Sequence, residues 1–123
     1  MANGTYDELT LVVADGMSMT ADGVTDKTDI HAWDCGGMVI AWSGANATIN
    51  PALFVPQFSI NGTDWCNYIP ESQVQRADKP SGSKMYEFPV YCFKYLRLRF
   101  LKKSNSAGAM TVTVYAKRKY SNR

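Results

Sequence analysis

Alternation of apolar and polar positions is the main structural signal in this chain, and it predicts strands rather than helices. Side chains of a strand point to opposite faces in turn, so strict alternation indicates one buried face. In residues 95–101, Leu96, Leu98 and Phe100 are predicted to point inward, and Arg97 and Arg99 outward. In residues 110–117, the inward set is Met110, Val112, Val114 and Ala116, and the outward set is Thr111, Thr113 and Tyr115.

The stretch from Phe58 to Trp65 predicts a β-hairpin that fixes the register of a sheet. It places Asn61-Gly62 between apolar segments, and these two residues best tolerate the positive φ angles of a two-residue type I′ turn. Phe54, Phe58 and Ile60 share one parity and are predicted to be buried. Trp65 and Ile69 continue that face after the turn.

Further strands are predicted at residues 6–13, 29–35, 38–42, 52–60 and 85–92. Asp15-Gly16 and Gly36-Gly37 are predicted to end the first two, and Pro56 places its own strand at a sheet edge or a bulge. Apolar residues of both parities in Met38–Trp42 predict a strand covered on both faces. Residues 14–28 are predicted to form a long loop or weak edge strand, and residues 70–83 a long polar loop.

These elements predict an all-β fold, an antiparallel β-sandwich of seven to eight strands with a jelly-roll-like arrangement. With 123 residues, we expect a single domain over residues 1–123, with an N-terminal arm at 1–5 and a basic tail at 117–123. No segment approaches the roughly 20 apolar residues of a membrane helix, and the N-terminus lacks a secretory pattern. We therefore expect synthesis and folding in a cytoplasm, without a membrane partner.

Charge is divided unevenly along the chain. The first 83 residues hold three basic and ten acidic residues, giving −7, whereas the rest hold ten basic residues and one acid, giving +9. Two interpretations are open: a basic face that meets an acidic partner or nucleic acid, or acidic and basic strands that neutralise each other across a sheet.

Candidate chemistry is sparse. Cys35, Cys66 and Cys92 form no metal-binding spacing and there is one His, so we expect free, buried thiols, with an intermolecular disulfide as the alternative. His31, Asp34 and Cys35 lie near each other in sequence but lack an oxyanion-hole motif, so catalysis is not expected there. Four aspartates, at positions 15, 22, 26 and 29, could approach a calcium ion, but solvated loop acids explain their spacing better. No cofactor or metal site is predicted.

Three segments resemble small jelly-roll-like sandwiches among the virion proteins of tailed phages. They are Ser59-Ile60-Asn61-Gly62-Thr63-Asp64-Trp65, Tyr95-Leu96-Arg97-Leu98-Arg99 and Thr111-Val112-Thr113-Val114. The resemblance implies a non-enzymatic structural role: a capsid decoration or cement protein, or a small neck or tail component. Its partners would be the major capsid protein or other virion proteins, its location the virion after assembly in the host cytoplasm, and its state a homo-oligomer, with a trimer favoured.

Two other functions compete with this one. Discoidin-like carbohydrate-binding modules use a similar strand-turn-Trp layout, and Trp33, Trp42 or an aromatic near residues 70–83 would then stack on a host-surface glycan. Nucleic-acid binding is the other, although it is not expected. The predicted partner-binding residues are basic: Arg97, Arg99, Lys102, Lys103, Lys117, Arg118 and Lys119.

Overall fold

Two antiparallel sheets form the protein in a computed structural model, which describes residues 6–46, 51–88, 93–102 and 107–119. The strands are β1 (Tyr6–Ser18), β2 (Gly23–Val24), β3 (Thr28–Asp29), β4 (Cys35–Ser43), β5 (Leu53–Ser59), β6 (Cys66–Asn67), β7 (Gly82–Phe88), β8 (Tyr95–Leu101) and β9 (Ala109–Lys119). A short 3-10 helix spans Glu71–Gln73.

The chain passes back and forth between the sheets. The first sheet has the order β1-β9-β4-β7, and the second has the order β2-β8-β5-β6 with β3 also paired to β8. If β2 and β3 are counted as one interrupted strand, each sheet has four strands. This arrangement is a jelly-roll-like sandwich and confirms the predicted fold class.

The interior confirms the predicted parity of β8 and β9. Leu98, Phe100 and Val112 are fully buried between the sheets, together with Phe54 of β5 and Ile40 of β4. β8 has the bounds that its alternation predicts. Each such side chain contributes roughly 1.5–3 kcal/mol on burial, so the alternation decides which face packs inward.

β1 is longer than predicted, because Asp15-Gly16 does not end it. Its pairing with β9 shifts register between Val12 and Ala14 and again between Ala14 and Met17. Such bulges absorb extra residues without ending a strand. Leu11 shares the inward parity of Val114, its partner on β9, yet it stays exposed at the edge of the sandwich.

The predicted strand at 29–35 is wrong. Only Thr28–Asp29 pairs with β8, and a turn follows in which Trp33 N donates to Ile30 O. Gly36-Gly37, predicted to end a strand, instead lies inside β4, which pairs with β7 and β9. A side chain at Gly36 would lie 2.8 Å from the backbone O of Tyr115, so glycine permits this close approach.

The hairpin is present, but the predicted two-residue turn is wrong. β5 and β6 pair through Gln57↔Asn67 and Phe58↔Cys66, so residues 60–65 form a longer loop. The Asn61 side-chain oxygen accepts hydrogen bonds from the N–H groups of Thr63 and Asp64, which replaces the tight turn. Gly62 has φ +81°, as predicted. The prediction that Ile60 is buried is wrong: it lies past the end of β5 and is 65% exposed.

The strand that is buried on both faces is β5, not β4. On the outer side of β4, Val39 is half-buried and Ala41 is exposed, so the prediction for that strand is wrong. On β5, Leu53 and Val55 are buried on the outer side by Val74 and Leu101. Residues 70–83 are therefore not only a polar loop: part of the segment packs on the second sheet before β7 begins at Gly82.

The prediction that Pro56 places its strand at a sheet edge or a bulge is wrong: β5 lies between β8 and β6, and it pairs with β8 without a register shift. β6 pairs with only two residues of β5, and the Pro56 carbonyl accepts a hydrogen bond from Tyr68 N at 2.8 Å. Of the predicted strand at 85–92, residues 89–92 lie outside the described residues, as do the arm at 1–5 and positions 120–123. Lys117, Arg118 and Lys119, predicted to begin a tail, continue β9.

Candidate interaction surfaces

The seven predicted partner-binding residues do not form one patch. Arg97 and Arg99 lie on the outer face of the second sheet, on β8. Lys102 follows β8, and its backbone N donates to Asp22 Oδ1 at 2.7 Å. The other four are Lys103, which lies outside the described residues, and Lys117, Arg118 and Lys119 at the far end of β9 in the first sheet. β9 has 11 residues, so Lys119 at its end lies roughly 30 Å from Ala109 at its start.

At the C-terminal end of β9, residues from the acidic first part of the chain pair with residues from the basic last part. Asp7 and Glu8 of β1 pair in register with Arg118 and Lys117. Arg118 Nε donates to Asp7 Oδ2 at 2.9 Å, and its guanidinium carbon lies 4.8 Å from the centre of the Trp33 ring. Here the neutralising interpretation of the charge pattern holds. Both side chains of this ion pair are partly exposed, so it contributes only about 0–1 kcal/mol.

Arg97 lies in a different setting, held from two sides. Its guanidinium carbon lies 4.1 Å from the centre of the Trp65 ring. Its Nε donates to Gln57 Oε1 at 2.8 Å, and Gln57 Nε2 donates to Asn67 Oδ1 at 2.8 Å. Gln57 is buried. Sequence reasoning found Arg97 but missed Gln57 and Asn67, whose contribution depends on the pairing of β5 with β6 and β8.

The pKa of Arg97 is lowered, first by burial of its guanidinium and second by repulsion from Arg99. Both causes disfavour the charged form. An arginine stays protonated in proteins even so, because its ordinary pKa is far above neutrality. The site therefore holds two like charges on one strand face without neutralising them.

The outer face of the first sheet carries a different surface, which we call the open face. Alternation and register place uncharged side chains outward on it: Thr10, Val12, Val39, Ala41, Met85, Thr111, Thr113 and Tyr115. Val12 and Met85 are each 52% exposed. A groove of about 380 Å³ opens beside Gly37, and Glu8, Glu87 and Lys117 contribute the charged part of its lining.

The predicted chemical candidates are dispersed over the described residues, and Cys35 lines the groove of the open face. His31 Nδ1 is 3.0 Å from Asp29 Oδ1, and hydrogen bonds from His31 lower the pKa of Asp29. Cys35 begins β4 as a half-buried free thiol, and Cys66 is an exposed free thiol, so the prediction of buried thiols is wrong for Cys66. Cys92 lies outside the described residues. Within the described ranges, no three His, Cys, Asp or Glu side chains are grouped to hold a metal ion.

The three tryptophans make intramolecular contacts. Trp42 is buried against Phe54, with ring centres 5.0 Å apart, and its Nε1 donates to Lys79 O. Trp33 and Trp65 each have a guanidinium over the ring. A sugar-stacking platform needs a free aromatic face, and these contacts occupy one face of both rings.

Comparison with known proteins shows the fold alone. No protein-family model matches the sequence, and no curated protein matches it significantly. A crystal structure of the infectious bursal disease virus VP2 subviral particle matches with a TM-score of 0.53 and 10% identity, covering 94% of this chain and 33% of that chain. A structure of the Gx strain of the same virus matches with a TM-score of 0.50 and 12% identity, covering 97% and 33%.

A third similar structure is dimeric latent PorU from Porphyromonas gingivalis, with a TM-score of 0.49 and 12% identity, covering 94% of this chain and 13% of that chain. The chain thus spans about one third of the viral chains that it resembles. The jelly-roll-like sandwich is common to this chain and the viral chains at TM-scores of 0.50 and above. No helix in the described ranges has the length and apolarity needed to span a bilayer.

Proposed function

We propose that this protein is a non-enzymatic structural component of a virion, and specifically a phage capsid decoration or cement protein that binds and stabilises the capsid surface. Its partners are the major capsid protein and further copies of itself, in trimers or another closed ring. It acts on the virion after assembly in the host cytoplasm. The phage-like strand motifs and the fold likeness to the infectious bursal disease virus chains support this proposal.

The open face carries the proposal. Four strands present uncharged side chains there, and in the described residues no segment of the chain covers them. An exposed apolar patch of this kind is typical of protein interfaces. The face is also built on strands that pair over most of their length, which makes it a rigid surface for a neighbouring subunit.

The glycan-binding alternative has less support from the geometry. Trp42, one of its predicted stacking residues, is buried, and Trp33 packs against the core with Arg118 over its ring. Neither arrangement offers the convergent polar groups around an open aromatic ring that a sugar site needs.

Electron microscopy of particles assembled with and without the protein tests the proposal. We expect extra surface density, at cyclic positions, only when the protein is present. The variant Val12→Glu/Met85→Glu should lose that density, because two charges would be buried at the interface. Ile60→Glu is the matched control, since Ile60 is 65% exposed in the loop after β5 of the second sheet.

Two results would overturn the proposal. The first is purified protein that binds no capsid or tail assembly yet binds an oligosaccharide at micromolar affinity. The second is the absence of extra surface density on particles assembled with the protein. Equal occupancy of the particle by the open-face variant and the wild type would refute the role of the open face.

A further inference from the structure

We propose that Arg97 and Arg99 form a binding site for two carboxylates of an extended acidic peptide segment from a partner protein. Trp65 and Gln57 act as positioning residues. The site deepens the proposed function and rests on it only for the identity of the partner, a neighbouring virion subunit. Its ligand chemistry follows from the geometry of the second sheet.

Arg97 is oriented before any ligand arrives. The Trp65 ring, whose centre is 4.1 Å from the guanidinium carbon, restricts the guanidinium on one side, and the Nε–H donated to Gln57 restricts its rotation. Gln57 is itself held by Asn67 at 2.8 Å. The two terminal nitrogens of the guanidinium are left for a ligand, and that planar pair of donors matches a carboxylate. Preorganisation of this kind reduces the entropy lost on binding.

Neither arginine has a carboxylate partner within the part of the chain that the structure describes. The sequence holds 11 acidic side chains, all in the described ranges. The structure shows contacts between an acidic and a basic side chain from Asp7 to Arg118 and from Asp29 to His31, and neither involves Arg97 or Arg99. Arg97 and Arg99 therefore lie together on one face with their charges uncompensated by the chain's own acids. An external anion would relieve the repulsion between them.

The spacing of the two arginines favours a peptide. They are two residues apart on the same strand face, so their Cα atoms are separated by roughly 7 Å, which is also the separation of alternate residues in an extended peptide. Val24, paired with Arg99 and 46% exposed, offers an apolar contact beside them. A nucleic acid needs a longer basic surface, whereas the basic end of β9 lies in the other sheet.

Fluorescence anisotropy with two labelled peptides tests the site on the full chain. One peptide is Thr-Glu-Thr-Glu-Thr, and the other is Thr-Thr-Glu-Glu-Thr, with the same composition and charge but with adjacent acids that point to opposite faces. We expect the alternating peptide to bind more tightly. Arg97→Gln and Arg99→Gln should each weaken that binding by about tenfold or more, since a charge-assisted hydrogen bond is lost. Arg97→Lys should weaken it too, because it keeps the charge but loses the planar pair of donors.

Arg118→Gln is the matched control, since it removes an arginine that also stacks on a tryptophan, on the first sheet. It should leave peptide binding unchanged, and melting curves should show that all variants are folded. Equal binding of the two peptides, equal loss on Arg118→Gln, or preferential binding of oligothymidine would overturn the proposal. Reduced particle occupancy of Arg97→Gln links the site to the virion. Peptide binding without any particle binding would instead retain the site and refute the proposed function.

Discussion

The outer faces of the two sheets differ in what covers them. On the second sheet, Val55 of β5 is fully buried because Val74, from the segment between β6 and β7, packs over it. On the first sheet, Val39 of β4 is only half-buried and the neighbouring Met85 is 52% exposed. β4 and β5 both carry apolar residues of both parities. One apolar face therefore stabilises the chain itself, whereas the other is left uncovered by the described residues and is the face that we propose binds a partner.

The same contrast separates the charged residues. Arg118 on the first sheet meets Asp7 of the chain itself, whereas Arg97 and Arg99 on the second sheet meet no carboxylate among the described residues. Surface arginines are thus either internal partners or candidate binding groups. Sequence position alone does not distinguish the two.

The largest expected effect is that of a substitution in the core between the two sheets. Leu98→Ala should lower the free energy of unfolding by about 2–5 kcal/mol, because it removes a fully buried side chain and leaves a cavity. Denaturant unfolding measures this value. It sets the scale for the outer faces, and a cost below about 1 kcal/mol would contradict the inward parity of β8.

The next prediction compares the two faces directly. Val55→Ala should lower the free energy of unfolding by about 2 kcal/mol, since Val55 is fully buried. Val39→Ala should cost less than about 1 kcal/mol, because Val39 already contacts water. Equal costs in urea unfolding would refute the distinction between a covered and an open face.

The loop beside the second sheet should show an effect of similar or smaller size. Gly62→Val should lower stability by roughly 1–2 kcal/mol, because φ is +81° and a β-branched residue is strained there. Ile60→Thr, at an exposed position of the same loop, is the control, with a change of about 0.5 kcal/mol or less. An unchanged melting temperature of Gly62→Val would argue against the positive φ.

The smallest expected effect concerns pH. The pKa of Asp29 is lowered in the folded chain by the hydrogen bonds from His31. The contribution of Asp29 to stability is therefore fully present above the ordinary aspartate pKa of about 4, and it is lost as the pH falls through the lowered pKa. Asp29→Asn should remove this part of the pH dependence. Identical stability-pH curves for the variant and the wild type would exclude the contribution.

Several features of the fold follow from local sequence. Alternation from Tyr95 to Leu101 determines which side chains of β8 enter the core, because exposing Leu98 and burying Arg97 would both be costly. Gly62 takes the positive φ that its place after Asn61 predicts. The all-β jelly-roll-like class follows from such segments together, since each must bury one apolar face against another sheet.

Only the tertiary structure decides which elements cover which faces. The sequence marks Val39 and Val55 alike as apolar and of the outer parity, yet the segment that contains Val74 crosses the second sheet and not the first. The length of β1 past Asp15-Gly16 depends on bulges that its partner β9 accommodates. The setting of Arg97 likewise depends on Gln57 and Trp65, which lie 40 and 32 positions before it in the chain. Periodicity determines how a strand is oriented, but contacts between distant segments depend on how the whole chain packs.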